Sequence, residues 1–403
     1  MNSIDKNAWK TVINGILCLA VAIGISRFAY TPMLPAMQKG VGFADDFAGY
    51  LATANYLGYL AGSFWAAATA DRRGRKRRVL WNFGITLLCT VFMGIISNFF
   101  IWYALRFMAG CASAMIFILV SGLVMEDLTR LNRQAWTGWM FAGVGLGICI
   151  SAVTVPVLVT HFRWQGGWIG LAVICLFIVA LARPWLKIAP DTGNASAGNH
   201  CDKDPELDKF LPWLVISYTL EGLGYIVTGT FLVTLVERSS ESFETAAFVW
   251  LLVGLSVIPS CPAWTLIGKR IGFLKALVIA LFIQMAGVLL PVIMPGTTGA
   301  VIGAICFGGT FVGIAALTIL IGRRIDPGKA KRNIAILTGC FSIGQMAGPT
   351  IAGILAVQTD GFAVPLYGAA VIIGISALTL IPGFYAKRTS QFETICPDPP
   401  ITD

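Results

Sequence analysis

The chain alternates long apolar runs with short polar breaks. A membrane-crossing helix needs about 20 apolar residues in a row. Twelve stretches reach that length: roughly 11–37, 47–70, 79–97, 100–125, 137–160, 168–186, 211–236, 247–267, 273–292, 297–322, 333–357 and 362–385. The alternating ten-residue segments of a membrane β-barrel are not the pattern here. Most breaks are a few residues long. The longest, 187–210, contains Asp-Thr-Gly-Asn-Ala-Ser-Ala-Gly-Asn and divides the runs six and six. The expected fold is an all-α membrane protein of twelve transmembrane helices in two pseudo-symmetric six-helix bundles, 1–186 and 211–403, joined by the linker 187–210. The first run lacks an Ala-x-Ala exit and is expected to remain as the first membrane helix.

Composition agrees with the pattern. Hydrophobic residues make up 57% of the 403, and Asp, Glu, Lys and Arg only 12%, against about 25% in soluble domains. So few charges could not coat a soluble enzyme, and a disordered chain or a disulfide scaffold is excluded as well. The net charge of +9 is a matter of topology. With the N-terminus inside, 24 of the 29 Lys and Arg fall in inner segments, while Lys39, Arg163 and Arg238 fall outside and Arg27 and Arg106 lie within helices. This split predicts that both termini and the 187–210 linker are cytoplasmic. No polar domain exists to bind nucleic acid. Ten cysteines without a CxxC, most of them in apolar runs, read as reduced and buried. With two histidines, no metal, cofactor or catalytic nucleophile–base pair is expected.

The two halves repeat. Gly24-Ile-Ser-Arg-Phe-Ala-Tyr-Thr-Pro-Met-Leu34 aligns with Gly222-Leu-Gly-Tyr-Ile-Val-Thr-Gly-Thr-Phe-Leu232 at an offset of 198. Gly74 pairs with Gly272 at the same offset, and Gly143-x-x-x-Gly147 pairs with Gly344-x-x-x-Gly348 at 201. Duplicated halves of this kind hold a solute between them, near the bilayer midplane.

Between the second and third runs lies Asp71-Arg-Arg-Gly-Arg-Lys-Arg-Arg78. It resembles the major facilitator signature Gly-x-x-x-Asp-Arg-x-Gly-Arg-Arg, matching at Asp71, Arg72, Gly74, Arg75 and Lys76, with Ala67 in place of the leading Gly. Arg106-Phe-Met-Ala-Gly110 resembles that superfamily's helix-4 Arg-x-x-x-Gly. Gly344-x-x-x-Gly348-Pro349 resembles a pattern that marks exporters when it sits in helix 5. Here helix 5 carries Gly143 and Gly147 without the proline, so no antiporter class is implied. Gly24–Pro35, Ala54-Asn-Tyr-Leu-Gly-Tyr-Leu-Ala-Gly62 and Glu221-Gly-Leu-Gly-Tyr-Ile-Val-Thr228 are similar to the YbfB/YjiJ branch of the superfamily. The resemblance implies a secondary transporter, working as a monomer, whose Asp71 latches an inner gate formed with Arg72, Gly74 and Arg75. It supplies no substrate.

Three charges lie inside the runs, away from their ends: Arg27, Arg106 and Glu221. Each costs roughly 2.5–3.5 kcal/mol at the bilayer centre and should face protein or water. Arg27 and Glu221 are near mid-depth. Arg106 is close enough to a helix end to snorkel. Helical spacing puts Tyr218, Glu221, Tyr225 and Thr228 in one stripe, Arg27 with Tyr30 on one face, and Asn55 with Tyr59 on another; Gln345 lies in the eleventh run. The substrate-binding candidates are Arg27, Tyr30, Asn55, Tyr59, Arg106, Tyr225 and Gln345. Glu221 is the proton-carrier candidate, because burial disfavours a carboxylate and a neighbouring Arg favours it. The alternatives are a fixed Arg27–Glu221 ion pair, multidrug efflux, or a membrane sensor that binds a solute without moving it. The partners expected are a small organic solute, the proton and the bilayer.

Overall fold

The computed structural model describes residues 3–69, 74–187, 209–240 and 242–385. Asp71, Arg72 and most of the linker lie outside them. The described residues are helical almost throughout. Helix α1 (Ser3–Leu19) passes through a π-helical turn (Ala20–Ile25) into α2 (Tyr30–Val41). There follow α3 (Asp45–Ala68), α4 (Arg75–Ile95), α5 (Phe99–Arg130), a 3-10 segment (Gln134–Phe141) and α6 (Ala142–Lys187). After the linker come α7 (Leu211–Ser240), α8 (Phe243–Ile271), α9 (Phe273–Ile293) and α10 (Thr297–Ile325). The chain ends with α11 (Ala330–Gln358), α12 (Ala363–Leu378) and the short α13 (Pro382–Tyr385).

Ten segments among the described residues are long and apolar enough to cross a membrane. Two differences from the twelve expected runs have local causes. Helix α3 opens on Asp45 and Asp46 and carries Asn55 and three tyrosines, and it is not among the ten. The segment 134–186 counts as one, yet Arg163 interrupts it with φ 58° and ψ −175°. A non-glycine residue held at positive φ marks a turn between two helices.

Helix ends follow local chemistry. Asn98 starts α5 by accepting from the Phe100 and Ile101 N–H groups (3.0 and 3.2 Å), and Ser242 starts α8 by accepting from Thr245 N–H (3.1 Å). Gly42 closes α2 at φ 81° and Gly74 opens α4 at φ 80°, a region that only glycine enters without strain.

The repeat reappears in the coordinates. Helices α3, α4 and α5 begin at Asp45, Arg75 and Phe99; α8, α9 and α10 begin at Phe243, Phe273 and Thr297, each 198 residues on. Packing repeats too. A side chain on Gly110 would strike the Asn55 carbonyl, and one on Gly308 the Val253 carbonyl. Gly62 lies against the Cys111 carbonyl, while Ser260 in the corresponding place donates to the Gly309 carbonyl (2.8 Å). Gly143 and Gly147 let α6 rest on the Ile16 and Ala20 carbonyls, and Gly344 and Gly348 let α11 rest on those of Thr219 and Leu223. These pairs serve close helix packing.

Candidate functional site

The first membrane run is not one uninterrupted α-helix. Ser26 N–H reaches back to Val21 O (2.9 Å) and Phe28 N–H to Ile23 O (3.2 Å), both five residues behind. Pro32 has no N–H for the Phe28 carbonyl, which instead accepts from Thr31 (3.2 Å). The loosened stretch 20–29 is buried, and Gly24 within it lies against Gly147 and the Val144 carbonyl. Turns of this kind recur at functional sites, since they re-aim side chains. Arg27 falls in the stretch between the π-helical turn and α2, and Tyr30 is the first residue of α2.

Arg27 is 6% exposed. Its guanidinium carbon lies 4.5 Å from the Tyr56 ring centroid, 4.9 Å from Tyr59 and 5.5 Å from Phe28. Arg106 is 2% exposed and lies 4.5 Å over the Tyr30 ring. It therefore does not snorkel: its Nη1 donates inward to Ser26 O (3.4 Å). The two guanidinium groups are within electrostatic range of each other. In each, Nε and Nη2 are buried and have no hydrogen-bond partner. The aromatic faces offset part of the burial. No carboxylate lies within 4.0 Å of either group among the described residues.

Tyr30 and Asn55 are largely committed to structure. The Tyr30 hydroxyl donates to Ala48 O (3.0 Å), and Asn55 Nδ2 donates to Arg106 O (2.9 Å), leaving Asn55 Oδ1 unpartnered. Tyr59 lies beneath Arg27.

Glu221 is 1% exposed and forms no ion pair with Arg27. Its Oε1 accepts from Gln284 of α9 (3.3 Å), and its Oε2 has no partner. Tyr225, one turn along, is within electrostatic range of both Glu221 and Arg27 and accepts from Gln345 Nε2. Around it stand near-parallel rings: Tyr225 with Phe341 (5.7 Å, 10°) and Phe311 (5.7 Å, 16°), Phe307 with Phe311 (5.5 Å, 24°), and Tyr218 with Phe341 (4.2 Å, 13°). Sequence reading missed Gln284, Tyr56 and these phenylalanines. Gln284 had a signal, being a lone amide in a run of apolar residues; Phe residues in apolar runs have none.

Beyond this centre, α2 and α3 are fastened to α7 and α11 at one end. Lys39 pairs with Glu237. Asp45 accepts both Arg238 donors (2.7 and 2.8 Å) and Gln38 Nε2 (2.8 Å). Thr31 donates to Gly229 O (2.6 Å) and Thr53 to Met346 O (2.8 Å). A cleft of about 310 Å3 at this end is lined by Pro35, Gln38, Lys39, Thr234, Glu237 and Arg238.

Of the signature loop, Gly74 and Arg75 are described. Arg75 holds Glu126 of α5 through two parallel hydrogen bonds (3.0 and 2.8 Å). At the equivalent joint 198 residues on, Arg324 lies 4.4 Å over the Phe273 ring. One contact is kept with two chemistries. Helix α11, whose start was read near Asn333, begins at Ala330.

The chain is similar to known transporters in sequence and in fold. The gentisate transporter of Corynebacterium glutamicum is 24% identical over 375 residues, covering 89% of this chain and 84% of its own. The sialic acid transporter NanX of Escherichia coli is 22% identical, covering 87% of each. The crystal structure of a mutant of the nucleoside transporter NupG superposes with a TM-score of 0.69 over 94% of this chain and 99% of that one, at 13% identity, and so shares the fold. The model of the family described as uncharacterised MFS-type transporter YbfB matches residues 19–381. A polytopic helical bundle with that signature loop and that match belongs to the YbfB-type family of major facilitator transporters.

Proposed function

We propose that the protein is a proton-coupled carrier of a small organic anion across the bacterial inner membrane. The observation that carries this is the buried pair Arg27 and Arg106. Four of their nitrogens lack partners, and among the described residues no carboxylate lies within 4.0 Å of either group. Buried unpaired charge is costly, and an anionic solute removes the cost when it binds. Relatives named for gentisate and for sialic acid, both carboxylates, support the reading.

Glu221 is the proton carrier in this scheme. It lies in the other half from the two arginines, and Tyr225 stands between it and Arg27, so its charge and the solute's are felt at one place. Tyr59, Tyr225 and Gln345 line the solute, while Tyr30 and Asn55 hold the arginine-bearing helices in position. Twelve crossings follow from the ten apolar segments once α3 is added and 134–186 is divided at Arg163. The halves 1–186 and 211–403 are then two bundles about a pseudo-twofold axis, which the recurring offset of 198 supports. With the basic loops inside, the fastened end is the outer face and the described conformation is shut outward. The Asp71–Arg72 latch is proposed for the opposite, inner face.

Flux into proteoliposomes tests the scheme. An imposed inward proton gradient should drive accumulation of a carboxylate solute. Accumulation that is indifferent to the gradient would remove proton coupling, and binding without flux would make the protein a sensor.

A further inference from the structure

We propose that the solute is an aromatic carboxylate, its ring stacked among Tyr225, Phe311 and Phe341 and its carboxylate on Arg27. This rests on the anion-carrier reading and names the class of anion. The observation behind it is a contrast between two aromatic clusters. At the fastened end the rings are steeply inclined to one another: Phe43 with Phe99 at 82°, Phe43 with Trp102 at 75°, Trp102 with Trp164 at 87°, and Phe47 with Phe99 and Phe99 with Trp102 at 55° and 60°. Such rings direct their edges at one another's faces and close up as packing. Beside Arg27 the order is different. Five rings from α7, α10 and α11 lie within 10° to 24° of parallel in each contacting pair. The rings touch one another at centroid distances of 4.2 to 6.4 Å, so a flat guest enters by replacing one stacking contact; a guest with its own π-system restores that contact and a saturated one does not.

The cation is next to these faces. Phe28 lies between the two, 5.5 Å from the Arg27 guanidinium and 5.8 Å from the Phe311 ring, which it meets edge to face at 61°. Tyr225, within the stack, is itself in electrostatic range of Arg27. A planar fork with unpartnered Nε and Nη2 matches a carboxylate held by two parallel hydrogen bonds. An apolar stack ending at such a fork fits a molecule that is flat and apolar at one end and a carboxylate at the other.

The test uses the full purified chain in lipid nanodiscs and three probes: benzoate, cyclohexanecarboxylate and benzamide. The first two share charge and approximate size but differ in aromaticity; benzamide keeps the ring without the charge. Calorimetry should give benzoate at least ten-fold tighter binding than cyclohexanecarboxylate, and no binding of benzamide at the same concentrations. Phe311→Leu and Phe341→Leu, made separately so that one misfolded variant does not decide the matter, should bring the two acids within about two-fold while carboxylate binding persists. Arg27→Ala should lose both acids. Equal affinity for the two acids in the unmodified protein, or a preference that survives both leucine variants, overturns the aromatic assignment and leaves the anion site standing. Benzamide bound as well as benzoate, with Arg27→Ala unaltered, overturns the anion reading itself. Binding of none of the three overturns both.

Discussion

Arg27 and Glu221 stood out because charge inside an apolar run is expensive, and cost is legible in a sequence. Their partners were not legible. Which ring lies under a guanidinium depends on how helices rotate, and the π-helical turn at 20–25 changes that rotation locally. Tyr56 and Gln284 became visible only in the fold. With no ion pair between Arg27 and Glu221, neither charge should depend on the other for the fold. Glu221→Gln, fixed in the uncharged form, is expected to fold, bind solute and exchange it, and to lose pH-driven accumulation in proteoliposomes; undiminished accumulation would exclude Glu221 as proton carrier. Arg27→Ala should abolish solute binding by calorimetry. Lys there should restore it only in part, because a point charge lacks the planar fork. The double change Arg27→Leu with Glu221→Leu should show no mutual rescue of stability, as a fixed buried pair would.

Helix existence and order were readable from run length alone. Two elements were less so, for different reasons. Helix α3 carries its polar residues on faces turned to other helices, so its average hydropathy understates its burial. The α1–α2 unit breaks where Gly24 meets Gly147, a contact between distant parts of the chain. Gly147→Ala would push a methyl into Gly24 and the Ala20 carbonyl; overpacking of this kind costs about 1–3 kcal/mol, measurable as reduced thermal stability in detergent. The ties of α2 and α3 to α7 call for a milder expectation. Arg238 is about half exposed, and pairs that water reaches contribute about 0.2–1 kcal/mol. Asp45→Ala should therefore shift the conformational populations a few-fold without unfolding the protein. Spin labels at Ala44 and Ser239 in a cysteine-free background would record it as a longer inter-label distance.

At the scale of the molecule, the distribution of basic residues makes the clearest prediction. Reporter fusions after Gly296 and after Asp326 should report opposite faces, outer and inner; the same face for both would break the twelve-crossing scheme. The family and the fold class followed from sequence because they rest on run count and one short loop. The candidate site did not, because it is assembled from the turn at Arg27 and from α2, α3, α5, α7, α9, α10 and α11, and no linear pattern brings these together.

Lys39 and Glu237 are 198 residues apart, as are Thr31 and Gly229, and each pair is in contact. A position that touches its own counterpart sits where the two repeats meet themselves. In a homodimer of identical halves, Lys39 would have faced a second lysine, or Glu237 a second glutamate, and like charges there would have driven the halves apart. An attractive pair at this place is open only to halves that have become one chain and diverged. The bridge is thus a mark of divergence: two identical halves could not form it. A chain with the two charges exchanged, Lys39→Glu together with Glu237→Lys, should close as the present one does.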